Sequence, residues 1–178
     1  MGGAAEPEVS RDKPRGRKVA APSFAKALSR SPASNNIVLR KHQIDRLKNH
    51  TGVRLIVAQA PAGFGKTTLL RQYCAWREGQ GASIAWLHLE AHYSDPSPFL
   101  RLLCEAITGA IPDGEPVVTL SETSSASIQD FLRCVRAVQQ DIVIVIDNFE
   151  QAAHPGMEAV IAQLVRVLPS GPQLCIGT

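Results

Sequence analysis

Continuous apolar segments alternate along this chain with segments whose apolar residues recur at helical spacing. The apolar segments occupy residues 53–58, 83–89, 141–147 and 173–178. Five consecutive β-branched residues within the third segment require burial on both faces, as in the interior of a parallel sheet. The pattern therefore predicts four strands, the third of them central.

Helical spacing of apolar residues marks the segments between these strands. The predicted helices cover residues 39–47, 67–76, 95–108, 127–138 and 156–167, and residues 112–125 form a turn-rich surface excursion. Alternating strands and helices indicate an α/β fold with a doubly wound parallel sheet, whose ligand crevice lies at the carboxyl ends of the strands. Because the sequence stops after the fourth recognisable strand, we expect a domain that is incomplete at its C-terminus.

Charge divides the 178 residues into two regions. Residues 1–35 hold seven basic and three acidic residues, whereas residues 36–178 are nearly neutral. The first region is rich in Pro, Ser and Ala and is predicted to be a disordered tail, either a solvated leader or an arm that contacts nucleic acid or a membrane surface. Residues 36–178 are predicted to form the folded domain.

The patterns of cysteines, histidines and apolar residues argue against a disulfide framework, a metal site built from histidines and a membrane span. The four cysteines form no CxxC pair and are expected to be buried, reduced thiols. The five histidines lack metal-ligand spacing, and His88 is interpreted as a packed or inter-strand residue. With no long apolar run and no signal-peptide pattern, we expect a cytoplasmic protein without membrane contact.

Candidate chemistry begins with a glycine-containing loop between the first predicted strand and the next helix. It follows the pattern GxxxxGK[ST], with alanine replacing the first glycine. Such a loop directs successive backbone N–H groups and a helix N-terminus at one phosphate. The predicted nucleotide-binding residues are Ala60, Pro61, Ala62, Gly63, Phe64, Gly65, Lys66, Thr67 and Thr68.

Particular roles follow from the side chains of this loop. Lys66 is expected to reach the β and γ phosphates of ATP, Thr67 to ligate Mg²⁺, and Thr68 to lie beside the α phosphate. Asp147, at the end of an apolar strand, is expected to complete the magnesium site from the same sheet edge. The cofactors are therefore predicted to be ATP or ADP with Mg²⁺.

Hydrolysis is less clearly indicated by the sequence. Asn148 occupies the position where many related ATPases have a second acid, and an amide cannot take a proton from water. Glu150 is a candidate catalytic residue together with Lys66 and Asp147, although an exposed loop acid is an equally good interpretation. The sequence leaves enzymatic activity open, with a slow ATPase as one possibility.

Several motifs in order resemble one family. They are the residues 57–70 (VAQAPAGFGKTTLL), 84–90 (IAWLHLE), 95–100 (DPSPFL) and 145–149 (VIDNF). Together they resemble the ATPase domain of MalT-like LuxR-family transcription regulators, which belong to the STAND class of P-loop ATPases. The resemblance covers residues 37–178 and implies that Val38 and Arg40 contact adenine, although both could be ordinary residues of a helix start.

The resemblance also implies a function. A domain of this family would be a nucleotide-dependent switch that self-associates in the full-length protein, with DNA bound only through a C-terminal domain absent from this chain. Two alternatives remain open from the sequence. One is an active ATP hydrolase acting on another macromolecule, and the other is a degenerate ATPase fold that serves as an interaction module without nucleotide.

Overall fold

The computed structural model describes residues 38–89, 95–111 and 125–178. The predicted basic tail and nearly all of the predicted excursion at residues 112–125 lie outside these ranges. The described residues form the α/β domain that the hydrophobic pattern predicts.

Four parallel strands form the sheet, and their order is β1-β4-β3-β2. β3 lies between β4 and β2, and all six of its residues are buried. This confirms the prediction of a central strand with two covered faces. The strands are β1 (Leu55–Ala58), β2 (Ser83–His88), β3 (Ile142–Asp147) and β4 (Gln173–Gly177).

The described residues contain five helices, one before β1 and four between the strands, and these differ from the predicted segments only at their ends. A short 3-10 turn, Phe149–Gln151, follows β3 directly. The helices are α1 (Lys41–Lys48), α2 (Lys66–Gly79), α3 (Pro96–Gly109), α4 (Ile128–Ala137) and α5 (Pro155–Val167).

Local sequence signals fix where two of the helices begin. Asp95 caps α3 by accepting a hydrogen bond of 2.9 Å from the backbone N–H of Ser97, and Pro96 occupies the first turn, where its missing N–H costs nothing. At the start of α4, Ser127 and Asp130 form a reciprocal capping box. Both helix starts can be predicted from the sequence, because in each case the capping residue and its partner lie within four residues.

Helices cover both faces of the sheet, so that the fold is doubly wound. Along β3, Val143 and Val145 join a core with α1 and α2, whereas Ile144 and its neighbours on the other face join a core with α3, α4 and α5. Largest among the fully buried side chains are Tyr73, Phe99, Phe131, Leu70, Leu103, Met157 and Leu164. In the part of the chain that the structure describes, no helix has the length and apolar character needed to cross a bilayer.

All four cysteines are buried thiols that form no disulfide, as the sequence predicts. Cys175 on β4 and Cys74 on α2 lie in the same core. Burial away from water raises the pKa of Cys175 to about 12 and that of Cys74 well above its ordinary value. These two side chains therefore act as small apolar residues of the core.

Candidate functional site

The loop between β1 and α2 has the backbone shape that its glycines allow. Gly63 and Gly65 have φ of 81° and 77°, in the left-handed region that glycine adopts without strain. Gly65 is the residue before α2, and its carbonyl accepts from the N–H of Leu69 at 3.0 Å. The N–H groups of the first helical turn have no partners within the helix and can bind an anion.

Lys66 lies over this loop. Its Nζ donates to the carbonyl oxygen of Ala60 at 2.8 Å and to Oε1 of Glu150 at 3.1 Å. Only 10% of the lysine side chain is exposed, whereas Glu150 reaches the site from the 3-10 turn after β3. The structure thus brings together two residues that the sequence separates by more than 80 positions.

Thr67 faces the carboxylate at the end of β3. Its Oγ1 lies 3.0 Å from both Oδ1 and Oδ2 of Asp147, and Asp147 is only 1% exposed. A hydroxyl and a carboxylate on facing elements supply the hard oxygen ligands that Mg²⁺ prefers. Thr68 follows in the first turn of α2, so that Lys66, Thr67 and Thr68 all lie in the turn that begins the helix.

His88 also contacts Asp147. It ends β2 beside Asp147 in the strand register, and its Nδ1 lies 3.2 Å from Oδ2 of that residue. The side chain of His88 is 46% exposed, so it belongs to the site edge and not to the core. Of the two interpretations made from the sequence, the inter-strand one is therefore the one that fits.

Asn148 turns the chain immediately after β3. It has φ of 67°, a left-handed conformation that asparagine tolerates better than most residues, and its Nδ2 lies 3.4 Å from the carbonyl oxygen of Leu89. This contact ties the amide to the end of β2. The Asn148 side chain is thus directed to Leu89, and the residue of this turn that contacts Lys66 is Glu150.

Residues 38–40, here called the strap, run beside the loop and precede α1. Nη2 of Arg40 donates to the carbonyl oxygen of Phe64 at 2.6 Å. A Cβ built on Gly65 would lie 2.5 Å from the same Nη2 atom, so that a side chain there would displace the Arg40 guanidinium. Arg40 is thus joined to the loop, whereas Val38 is 77% exposed.

Two residues of this region were not found by sequence reasoning. The side chain of Gln72 on α2 bonds to the strap, and Gly177 at the end of β4 leaves no room for a side chain, since a Cβ there would lie 3.0 Å from Oδ1 of Asp147. Neither belongs to a motif, because their contacts span 30 residues or more. A weak signal for Gly177 was available, because a glycine at the end of an apolar strand can mark a close approach of another group.

A loop of this shape between the first strand and its helix, facing a buried carboxylate on an inner strand, defines the class of P-loop nucleotide-binding domains. Comparison with known families agrees with this class. The profile of the AAA domain matches residues 48–174, which is well over half of the chain, and the chain belongs to that family.

Curated relatives of this chain include transcription regulators. It is 26% identical over 156 residues to the HTH-type transcriptional regulator MalT of Klebsiella pneumoniae (strain 342), covering 84% of this chain and 17% of the relative. It is 30% identical over 89 residues to MalT of Vibrio cholerae serotype O1, covering 50% of this chain and 9% of the relative. The resemblance to MalT-like regulators predicted from the motifs is confirmed.

A relative with another name matches as well. The serine/threonine-protein kinase PknK of Mycobacterium tuberculosis (strain H37Rv) is 36% identical over 85 residues, or 46% of this chain and 7% of the kinase. The chain therefore spans less than a fifth of the length of each of these relatives.

Proposed function

We propose that this chain is the ATP- and ADP-binding switch module of a MalT-like, LuxR-family transcription activator, with Mg²⁺-dependent binding and slow or absent hydrolysis. The observation that carries the proposal is the contact of the Thr67 hydroxyl with both carboxylate oxygens of Asp147, beside the left-handed glycines of the loop. In this arrangement the proposed metal ligands lie next to the N–H groups that would bind phosphate.

Phosphate binding is assigned to residues 60–68. The N–H groups of the loop and of the first turn of α2 would surround the phosphate chain, and the Lys66 amine would neutralise its β and γ groups. Thr68 would lie beside the α phosphate. Lys66 is held at the loop by the Ala60 carbonyl, so that little side-chain entropy is lost when the amine meets a phosphate.

The metal site is assigned to Thr67 and Asp147. When bound, Mg²⁺ would neutralise phosphate charge. The residues present suit the ion because both side chains offer oxygen ligands on rigid elements at one sheet edge, and His88 restrains the carboxylate through Oδ2. The strap is proposed to contact the adenine base through Val38 and Arg40.

Slow hydrolysis is inferred from the residues that follow Asp147. Asn148 is neutral and its amide is directed to the end of β2, so it cannot serve as a general base. Glu150 is a carboxylate, but its Oε1 is paired with Lys66. Such a site is suited to holding a nucleotide for long periods, which a switch requires.

The regulatory part of the proposal rests on the MalT relatives. In a longer protein, the nucleotide state of this module would control self-association, and DNA would be bound by a separate C-terminal domain. In the described domain the phosphate loop, the proposed metal ligands and the strap lie together at one edge of the sheet.

Calorimetric titration of the chain with ATP and Mg²⁺ tests the proposal through Lys66→Ala. We expect affinity to fall about 10- to 100-fold, because one or two charge-assisted hydrogen bonds are lost. Lys48→Ala is the matched control, since Lys48 is half-buried and its amine contacts Asp45 on its own helix and the ring of Trp76, neither of which is assigned to the nucleotide site. Unchanged affinity in Lys66→Ala would refute the assigned phosphate site. No binding by the unmodified chain would refute nucleotide binding and favour an interaction module.

One observation favours a second candidate function, an active ATP hydrolase acting on another macromolecule. Glu150 is a carboxylate 3.1 Å from the phosphate-binding lysine, where it could act on water. If the chain hydrolyses ATP, Glu150→Gln should abolish most of the turnover. Turnover that survives this change would remove Glu150 from any catalytic role.

A further inference from the structure

Gln72 makes two hydrogen bonds to the backbone of the strap. Its Oε1 accepts from the N–H of Arg40 at 3.0 Å, and its Nε2 donates to the carbonyl oxygen of Val38 at 3.0 Å. A primary amide carries both an acceptor and a donor, so one side chain satisfies both backbone groups. The strap is thereby bound to α2 in the same way that one strand binds its neighbour in a sheet.

These bonds connect the strap to the phosphate loop through a rigid element. Gln72 lies in the second turn of α2, the helix whose first residues are Lys66 and Thr67. At the other side of the strap, the guanidinium of Arg40 donates to the Phe64 carbonyl within the loop. The strap is therefore fixed at two points to the structure that would hold the phosphates.

Two of the three side chains of the strap are apolar and largely uncovered. Val38 is 77% exposed and Leu39 is 68% exposed, and Phe64 in the loop is exposed as well. A purine base presents two apolar faces, and covering it with such side chains is favourable only when they need no ordering at the moment of binding. Without Gln72, the backbone N–H of Arg40 would lose its acceptor and the carbonyl oxygen of Val38 would lose its donor.

We propose that Gln72 is a positioning residue for adenine recognition: it holds the strap in the conformation that contacts the base, while the phosphate loop forms without it. This inference rests on the proposed function, because it needs the strap to contact the nucleotide. The affinity for adenine would then depend on Gln72, a residue that lies outside the phosphate-loop motif and acts through the strap.

The experiment compares two ligands that differ in the adenosine part. Dissociation constants of ATP and of inorganic triphosphate, each with Mg²⁺, are measured by calorimetry for the unmodified chain, Gln72→Leu and Gln72→Glu. Gln163→Leu is the matched control, since it makes the same change on the exposed face of α5. Thermal unfolding of each variant reports whether it is folded.

We expect Gln72→Leu to weaken ATP binding about tenfold, the loss expected for one or two net hydrogen bonds, with triphosphate binding unchanged. Gln72→Glu keeps the acceptor for Arg40 and loses the donor to Val38, so its ATP affinity should be intermediate. Because it preserves one of the two bonds, Gln72→Glu also carries the test if Gln72→Leu does not fold. Gln163→Leu should bind both ligands as the unmodified chain does.

Two kinds of result would overturn the inference. Equal losses for ATP and triphosphate in the Gln72 variants would show that Gln72 supports the phosphate loop and not the base. Unchanged affinities for both ligands in the Gln72 variants, or an unmodified chain that binds ATP no more tightly than triphosphate, would show that the strap adds nothing to the affinity for the base. Failure of the proposed function would look different, since the unmodified chain would then bind neither ligand.

Discussion

The Lys66–Glu150 ion pair shows how single residues determine the properties of this site. The Lys66 amine has one neutral partner, the Ala60 carbonyl, and one charged partner, the Glu150 carboxylate. A phosphate that binds the same amine competes with the carboxylate for the positive charge and also meets the repulsion of the negative charge on Glu150. Glu150 is therefore expected to reduce nucleotide affinity while it remains ionised.

Glu150→Gln is predicted to strengthen binding of ATP with Mg²⁺ about two- to fivefold, as expected for a partly exposed ion pair. Calorimetric titration measures this change. Glu158→Gln, on the exposed side of α5, removes the same charge away from the site and is the control. Weaker binding in Glu150→Gln would contradict the argument and indicate that Glu150 holds Lys66 in its binding position.

At the scale of elements, α4 depends on the capping box that begins it. The Ser127 hydroxyl donates to Oδ2 of Asp130 at 2.7 Å, and the same carboxylate oxygen accepts from the Ser127 N–H at 3.0 Å. These hydrogen bonds lower the pKa of Asp130, the hydroxyl contributing most. A carboxylate with a lowered pKa stabilises the folded state above its unfolded value near 3.8, and this stabilisation is lost as pH falls through the lower folded value.

Ser127→Ala is predicted to reduce the free energy of unfolding by about 1 kcal/mol at neutral pH, the usual cost of removing such a cap. The difference from the unmodified chain should shrink as pH falls below about 4, because Asp130 then becomes protonated in both proteins. Urea unfolding over this pH range measures it, with the exposed Ser170→Ala as the control. If the difference in free energy of unfolding stayed constant with pH, the stabilisation by Ser127 would not depend on the charge of Asp130.

Across the whole molecule, a buried polar network joins α2 to β4 at the end of the sheet opposite the phosphate loop. Oε1 of Gln173 accepts from the Tyr73 hydroxyl at 2.6 Å and from Arg77 Nη1 at 3.2 Å. Its Nε2 donates to the Val53 carbonyl at 2.9 Å and lies near those of His50 and Thr51. Gln173 thus links the segment before β1, the end of α2 and the start of β4.

Gln173→Leu is predicted to lower the free energy of unfolding by about 2 to 4 kcal/mol, because Tyr73 and Arg77 lose a buried acceptor and several carbonyls lose a donor. Urea denaturation measures the loss, and Gln163→Leu is again the exposed control. Since the network lies at the far edge of the sheet, the folded variant should bind ATP as the unmodified chain does. A large loss of affinity with normal stability would show that the two ends of the sheet are coupled.

Much of this organisation was predictable because its causes are local in the sequence. Runs of β-branched residues specify buried strands, helical spacing specifies the helices, and the order of glycines, Lys66 and Thr67 specifies the loop. Asp147 could be assigned because parallel strands bring their carboxyl ends to one edge. The roles predicted for Val38 and Arg40 came from the family resemblance, and the structure adds the contact between Arg40 and the loop.

The amino-acid sequence by itself thus determined the α/β class, the central position of β3 and the phosphate loop, since each follows from periodicity or from neighbouring residues. Only the tertiary structure decided that Glu150 pairs with Lys66, that Gln72 holds the strap, that His88 contacts Asp147 and that Gly177 leaves room for it. These contacts join residues from different elements. Their partners depend on strand order and helix packing, which no local pattern of residues encodes.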